Sequence, residues 1–214
     1  MTTAESMDQN NENDNVSPEQ VKRGRRTALL LFAIGFGPMV LATVMYYTGW
    51  LNPTGNSNHG ELLQPPAPVS QLQMQGADGS PLEDRFGPEL KEPEWLMIVV
   101  SANCGSECED LLYRTRQVNI ALGKNANRVN RSAWLGSMSD DLAQRWSSEY
   151  AATEQLSLSG IGEPSWPAGV DPVQQPRILV VDPFGNVVLH YGSEHTGKQM
   201  LSDLKHLLKL SQIG

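Results

Sequence analysis

The stretch Trp95-Leu96-Met97-Ile98-Val99-Val100-Ser101-Ala102-Asn103-Cys104-Gly105-Ser106-Glu107-Cys108 decides the fold. Its first half is a continuous apolar run rich in β-branched residues, the pattern of a strand buried on both faces. A helical pattern follows at once: Leu111, Thr115, Val118 and Leu122 recur at helical spacing, and Gly123 makes a stop. Cys104 and Cys108, the two cysteines of the chain, therefore stand on a strand-to-helix turn. A helix start carries partial positive charge and free N–H groups, which favour thiolate over thiol. A thiolate is both the nucleophile of disulfide exchange and a soft ligand for Cu(I) or Zn. A bond between residues four apart closes a very small loop and constrains the unfolded chain little, so a purely structural staple is the weaker reading.

Moving toward the N-terminus, Thr27 to Trp50 carries no charged residue over about 24 positions. At 1.5 Å per residue that is about 36 Å of helix, enough to cross a hydrocarbon core of about 30 Å. Lys22, Arg23, Arg25 and Arg26 precede it, and Tyr46, Tyr47 and Trp50 cluster at the far end. Basic residues stay on the cytoplasmic side and aromatic rings prefer the interface. The reading is a single-pass inner-membrane protein of a bacterium, N-terminus cytoplasmic and C-terminal domain periplasmic. Leu51-Asn52-Pro53-Thr54-Gly55 makes a poor cleavage site, which favours an uncleaved anchor over a signal peptide. Residues 1–26 read as a disordered tail with a basic flank, 27–50 as the membrane helix, 51–68 as a linker and 69–214 as the exported domain. From Leu51 onward twelve Lys+Arg stand against nineteen Asp+Glu, a net charge of −7 with no basic patch, which argues against nucleic acid as a partner.

Within the exported domain, Val129–Leu135 is a short strand candidate, and Ser139-Asp140-Asp141 opens a helix with Leu142, Trp146 and Tyr150 on its inner face. Gly76-Ala77-Asp78-Gly79-Ser80-Pro81-Leu82 carries a turn signal for a small hairpin. Ile178-Leu179-Val180-Val181 and Val187-Val188-Leu189-His190-Tyr191 flank the turn Asp182-Pro183-Phe184-Gly185-Asn186 as a second hairpin. Thr196-Gly197-Lys198-Gln199 is a capping box for a last helix. Strand, thiols, helix, strand, helix, strand, hairpin strand and helix is an α/β order: a central mixed sheet flanked by helices. His59 falls in the linker and His206 in the last helix, neither with a sign of function, while His190 and His195 read as surface residues. Trp95, Trp146 and Trp166 read as packing.

This chain resembles membrane-anchored thioredoxin-like proteins. It shares with them an exported domain on an N-terminal anchor, two cysteines after a central strand, and a late strand–Asp-Pro-x-Gly–strand hairpin. Its Cys104-x-x-x-Cys108 spacing is similar to that of the Sco/SenC copper chaperones of cytochrome c oxidase, whereas thioredoxin-type oxidoreductases use C-x-x-C. The resemblance implies a thioredoxin-like fold, partners among respiratory oxidase subunits or assembly factors, and Cys104 and Cys108 as redox residues or copper ligands. It fails at one position. The family places its third copper ligand, a histidine, eleven residues before the hairpin glycine, and counting back from Gly185 gives Gln174. The chain also lacks the proline that often follows the first cysteine in that family. Thioredoxin-like reductases keep a cis-proline before the hairpin strand, packed against the thiols, and Pro176 stands there, a candidate for the cis form. The resemblance thus implies a reactive group of Cys104, Cys108 and Pro176, with Cys104 attacking and Cys108 resolving.

Three functions follow: thiol–disulfide exchange during oxidase assembly with no required cofactor, Cu(I) delivery by the two thiolates, or a non-catalytic assembly scaffold. The orientation has its own test. Protease added from the cytoplasmic face should remove the tail and spare the Leu51–Gly214 domain; digestion of that domain instead would reverse the topology.

Overall fold

The computed structural model describes residues 18–48, 58–90 and 94–211. The chain divides into two units, residues 1–55 and 56–214. In the first, α1 runs Pro18–Thr48 and is long and apolar enough to cross a membrane. The helix continues through Pro38. The hydroxyls of Thr27, Thr43 and Thr48 donate to the carbonyls of Arg23, Met39 and Val44, four residues back, so these polar groups are satisfied within the helix. The helix starts nine residues before the expected Thr27: the basic flank Lys22–Arg26, expected in a disordered tail, is its first turns, because nothing there but Gly24 opposes helix. Trp50 and the tail over 1–17 lie outside the described residues.

The second unit is built on one mixed sheet of seven strands. In chain order these are β1 (Glu61–Pro68), β2 (Met74–Gln75), β3 (Trp95–Ser101), β4 (Val129–Leu135), β5 (Glu154–Leu158), β6 (Arg177–Val181) and β7 (Asn186–Tyr191). Their spatial order is β1-β7-β6-β3-β4-β5-β2. Strand β3 pairs parallel with β4 and antiparallel with β6, and β4 pairs parallel with β5; the remaining pairs are antiparallel. All seven residues of β3 are buried. Alternation sends Trp95, Met97 and Val99 into one core and Leu96, Ile98 and Val100 into the other.

The first core is roofed by three helices, α2 (Ser106–Ala121), α3 (Asp140–Glu149) and α4 (Gly197–Leu210), which contribute Leu111, Leu112, Leu142, Met200 and Leu204. Within this unit, no α-helix among the described residues packs into the second. Two short 3-10 turns, Val69–Leu72 and Leu82–Arg85, and the loop around Trp166 and Val170 cover it. The helix boundaries follow the expected signals. Gly123 takes the left-handed conformation (φ +59°) right after α2, Ser139 caps α3 by accepting from the Leu142 N–H, and Thr196 and Gln199 form the reciprocal capping box of α4. The turn at 76–80 closes with a Gly76 N–H to Ser80 O bond of 2.9 Å.

Two elements depart from the sequence reading. The expected linker over 51–68 ends early, since Glu61–Pro68 is strand β1. It survives three prolines because it is an edge strand, where missing N–H donors leave no neighbour unpaired, and because Leu63 is buried. Strand β5 was not anticipated; five residues of Glu-Gln-Leu-Ser-Leu carry too short an alternation to register.

The N-terminal entry of this unit is fixed by one buried carboxylate. Asp203 on α4 is 1% exposed, and accepts from the His59 and Gly60 N–H groups (2.8 and 2.9 Å) and from the Tyr191 hydroxyl (3.1 Å). The His59 ring lies 2.9 Å from its other oxygen. Burial, and then the neighbouring Asp203 charge, push the Tyr191 hydroxyl above its ordinary pKa, so it stays a donor. His59 is therefore an anchor and not a bland linker residue. Replacing Asp203 by Ala strands these donors, and at about 1–3 kcal/mol for an unsatisfied buried group it should cost about 3 kcal/mol of unfolding free energy. Tyr191→Phe should cost about 1 kcal/mol. Urea unfolding of the full chain in detergent measures both.

Candidate functional site

The cysteines sit where the parallel strands β3 and β4 end. Three backbone bonds hold the loop between β3 and α2. The Gly136 N–H donates to Ser101 O (2.9 Å), the Ala102 N–H to Pro172 O (2.8 Å), and the Cys104 N–H to Ser137 O (2.9 Å). Ser137 Oγ adds a 2.9 Å bond to Asn103 Oδ1. Gly136 is required by this crossing: a Cβ there would stand 2.5 Å from the Ala102 carbonyl oxygen. The loop that carries the thiols is thus braced from the β4 exit on one side and from the segment before β6 on the other.

Cys104 and Cys108 form a disulfide, with Cα atoms 5.1 Å apart. Gly105 is the N-cap of α2, so Cys104 lies one residue before the cap and Cys108 is the third helical residue. Both sulfur residues are buried, Cys104 at 7% exposure and Cys108 at 1%. Their immediate neighbours Asn103, Gly105, Ser106 and Glu107 are exposed, so Cys104 lies just under the surface and Cys108 beneath it. The N-cap supplies no side-chain bond, whereas Ser139 and Thr196 supply one to α3 and α4. The first-turn N–H groups of α2 are left to a charge that appears nearby.

Glu107, Glu109 and Asp110 flank the pair in sequence, and carboxylates beside a thiolate oppose it, but one of the three is neutralised. Glu109 is bonded to Arg145 on α3 at 2.9 Å, and the same guanidinium holds Asp141 and Glu149. Arg145 is pushed above its usual pKa by Asp141 and then Glu109 and remains a cation. Glu107 and Asp110 point to solvent.

Pro176 is buried at the start of β6. The register pairs Arg177 with Val100, which puts Pro176 at the disulfide end of the sheet. Its peptide bond is trans, against expectation: among the described residues the only cis bond is Gln64–Pro65. A trans proline is compatible with a strand start, where φ near −65° is tolerated. Gln174 is exposed in the preceding turn, its N–H bonded to Asp171 O at 3.2 Å.

The histidines also differ from expectation. His190 and His195 are buried, at 2% and 9% exposure, rather than on the surface. His195 Nδ1 lies 3.1 Å from the Gly192 nitrogen and 3.0 Å from Glu194 Oε1, and its Nε2 lies 3.0 Å from His59 O. His190 lies 3.4 Å from a Glu61 carboxylate oxygen, and burial lowers its pKa. Hydrophobic alternation along β7 hides such residues, because a histidine on an inward position looks like one on the outward face. Among the described residues no group of three or more His, Cys, Asp or Glu side chains could hold a metal ion.

Residues 95–211 match the model of the family described as the transmembrane-like, thioredoxin-like C-terminal domain, and 18–49 match its transmembrane-like N-terminal domain. The chain belongs to this family. Its fold is thioredoxin-like, preceded by one apolar helix. No curated protein matches it. Among solved structures, the apo Sco1 protein of Thermus thermophilus is similar over 72% of this chain and 99% of its own, at 18% identity and TM-score 0.47. The copper-bound ScoI of Bradyrhizobium japonicum matches over 69% and 98%, at 18% identity and TM-score 0.41. A thio-disulfide isomerase of Thermus thermophilus matches over 69% and 94%, at 18% identity and TM-score 0.41. Identities and scores this low leave function to be argued from the residues.

The depth difference between the two sulfurs sets an order of reaction. After reduction, brief treatment with a small alkylating agent should label Cys104 faster than Cys108, by several-fold as read by peptide mass spectrometry. Equal slow labelling would mark both as structural.

Proposed function

We propose that this protein is a membrane-anchored thiol–disulfide exchange protein acting through Cys104 and Cys108 in respiratory oxidase assembly. The observation that carries the reading is the bonded pair at the start of α2, with the shallower sulfur before the cap and the deeper one in the first turn. In the dithiol form, the Cys104 thiolate attacks one sulfur of a client disulfide. A mixed disulfide forms, and one client thiolate leaves. The Cys108 thiolate then attacks Cys104 Sγ in the mixed disulfide. The second client thiolate departs, the client is a dithiol, and the protein holds its Cys104–Cys108 bond. Two electrons have passed to the client, and a dithiol donor on the exported side restores the pair. The reaction needs only sulfur and a reachable Cys104.

The client class comes from the C-x-x-x-C spacing, which resembles that of Sco proteins, and the periplasmic setting comes from the basic flank of α1. A periplasm is oxidising, so a client cysteine pair destined for a metal would need such a reductant. Pro176, buried at the disulfide end of the sheet, is the positioning residue of this reading.

Cu(I) carriage is the second reading. The reduced pair offers two soft donors to copper as cargo, and Cu(I) accepts two sulfurs. The absence of a third donor group among the described residues and the glutamine at 174 place it second.

A Cys104→Ser/Cys108→Ser strain should lose oxidase activity several-fold. An added thiol reductant should restore it and excess copper should not. Full restoration by copper would replace exchange with delivery, and undiminished activity would leave only a scaffold.

A further inference from the structure

The end of the domain that carries the disulfide also carries most of its negative charge. Four segments meet there: the cysteine loop with the first turns of α2 (102–114), the β4 exit with α3 (136–149), the turn before β6 (170–177) and the loop after β7 (192–195). The Cys104 N–H bonds to Ser137 O, the Ala102 N–H to Pro172 O, and Arg114 Nη1 donates to Ser193 O at 2.7 Å, so all four are joined around the pair. Together they hold eight Asp and Glu against three Arg. With histidine neutral that is a formal charge of −5, out of the −7 carried from Leu51 onward.

Each cation at this end is engaged. Arg145 holds Glu109, Asp141 and Glu149. Arg177 lies 3.5 Å from Glu194, and Arg114 donates to the carbonyls of Ser193 and His195. Four carboxylates are left over. Glu107, Asp110, Asp140 and Asp171 are exposed and stand in no ion pair among the described residues. Their places are set by the braces of the cysteine loop. Glu107 is next in sequence to Cys108, Asp140 follows two residues after Met138, which pairs with Cys104, and Asp171 adjoins Pro172. The reactive group here is the disulfide, and the carboxylates around it decide what approaches. Exposed charges of one sign attract an opposite charge over distance, raise its encounter rate by about 10–10³, and disfavour a like-charged partner.

We propose that the client of the Cys104–Cys108 pair is basic, a disulfide whose cysteines are flanked by Lys or Arg, drawn to the sulfurs by this acidic rim. The inference rests on the thiol-exchange reading above and names its substrate class. The bond changes are those of exchange. Cys104 Sγ bonds to one client sulfur as the other leaves as a thiolate, and Cys108 Sγ then bonds to Cys104 as the second client thiolate leaves, so two electrons pass from the pair to the client. The rim acts before these steps, on the encounter. A client with Asp or Glu beside its cysteines would meet four uncompensated carboxylates, whereas Lys or Arg would find counter-ions on three of the four segments.

The test uses the reduced full chain in nonionic detergent and three small disulfides: cystamine, a dication; hydroxyethyl disulfide, which is neutral; and dithiodipropionate, a dianion. Oxidation of the pair is followed by acid quenching, alkylation of the remaining thiols and mass spectrometry. Each rate is divided by that of the same disulfide with dithiothreitol, which removes differences between the leaving thiols. At about 10 mM ionic strength, where the Debye length is about 30 Å, the normalised rates should fall from dication to neutral to dianion over about a tenfold span. At about 1 M salt the span should shrink to within about twofold. Glu107→Gln/Asp110→Asn/Asp140→Asn should cut the low-salt span to about threefold, and its rate with the neutral disulfide reports any change in the thiols themselves. If the melting curve of this variant departs from that of the parent, the salt dependence of the parent decides. A low-salt span below about twofold, the reverse order, a span that salt leaves intact, or an unchanged span in the folded variant overturns the basic client and leaves exchange standing. No reaction with any of the three overturns the exchange reading, and the basic client with it.

Discussion

Burial of β3 on both faces is the constraint on which the rest of the domain depends. Trp95, Met97 and Val99 enter the core beneath the helices, and Leu96, Ile98 and Val100 enter the core beneath the 3-10 turns. Each such side chain contributes about 1.5–3 kcal/mol when removed from water. A strand committed to two cores cannot slide by one residue, because a slip would exchange every side chain between faces. Its end is therefore fixed, and the cysteine loop that follows inherits that fixed position. The braces from Gly136, Ser137 and Pro172 finish what the strand begins.

A second fixed point lies at the edge of the sheet. Strand β1 starts at Glu61, opposite His190 on β7, which is the disulfide end of the sheet. Asp203 gathers the two residues just before it through backbone donors and ties them to α4 and β7. A buried carboxylate stabilises only when its bonds are complete, and here the donors converge on α4 from two separate segments, His59–Gly60 and Tyr191. The chain's entry into the domain is thereby specified by polar geometry, at an edge where prolines prevent a full ladder.

What could be read from the sequence was what local chemistry writes strongly. The run from Trp95 to Ser101 left no other reading, and Ser139, Thr196 and Gly123 marked helix ends through the bonds and dihedrals they make in the fold. Elements whose structure comes from a distant partner were harder to see. Strand β1 looked like a stiff linker because three prolines dominate it, and only its place at the sheet edge makes it a strand. His190 gave no hint of burial, since inward and outward positions of β7 carry the same residue types, and His195 stands in the loop after β7, where no periodicity marks burial. The peptide bond before Pro176 is trans, and no local pattern in the sequence distinguishes the two isomers there. The Arg145 network is similar: Glu109 stands next in sequence to Cys108, and only Arg145 on α3 supplies its counter-ion.

That counter-ion bears on why this helix start suits sulfur chemistry. Opening the disulfide creates a thiolate, and a thiolate beneath the surface needs compensation. A Ser, Thr or Asp at the N-cap would claim a first-turn N–H, as Ser139 does for α3 and Thr196 for α4. Gly105 makes no such claim, so the first-turn donors of α2 stay available to a charge formed within that turn. Cys108 is in that turn, and it is the sulfur released when a nucleophile attacks Cys104. A better-stabilised leaving thiolate departs faster and favours the reduced pair. With Glu109 neutralised by Arg145, the helix field at this end is opposed only by the exposed carboxylates of Glu107 and Asp110, which water screens. In the proposed exchange reaction, cap, depth and counter-ion thus act in one direction, toward attack at Cys104 and departure from Cys108.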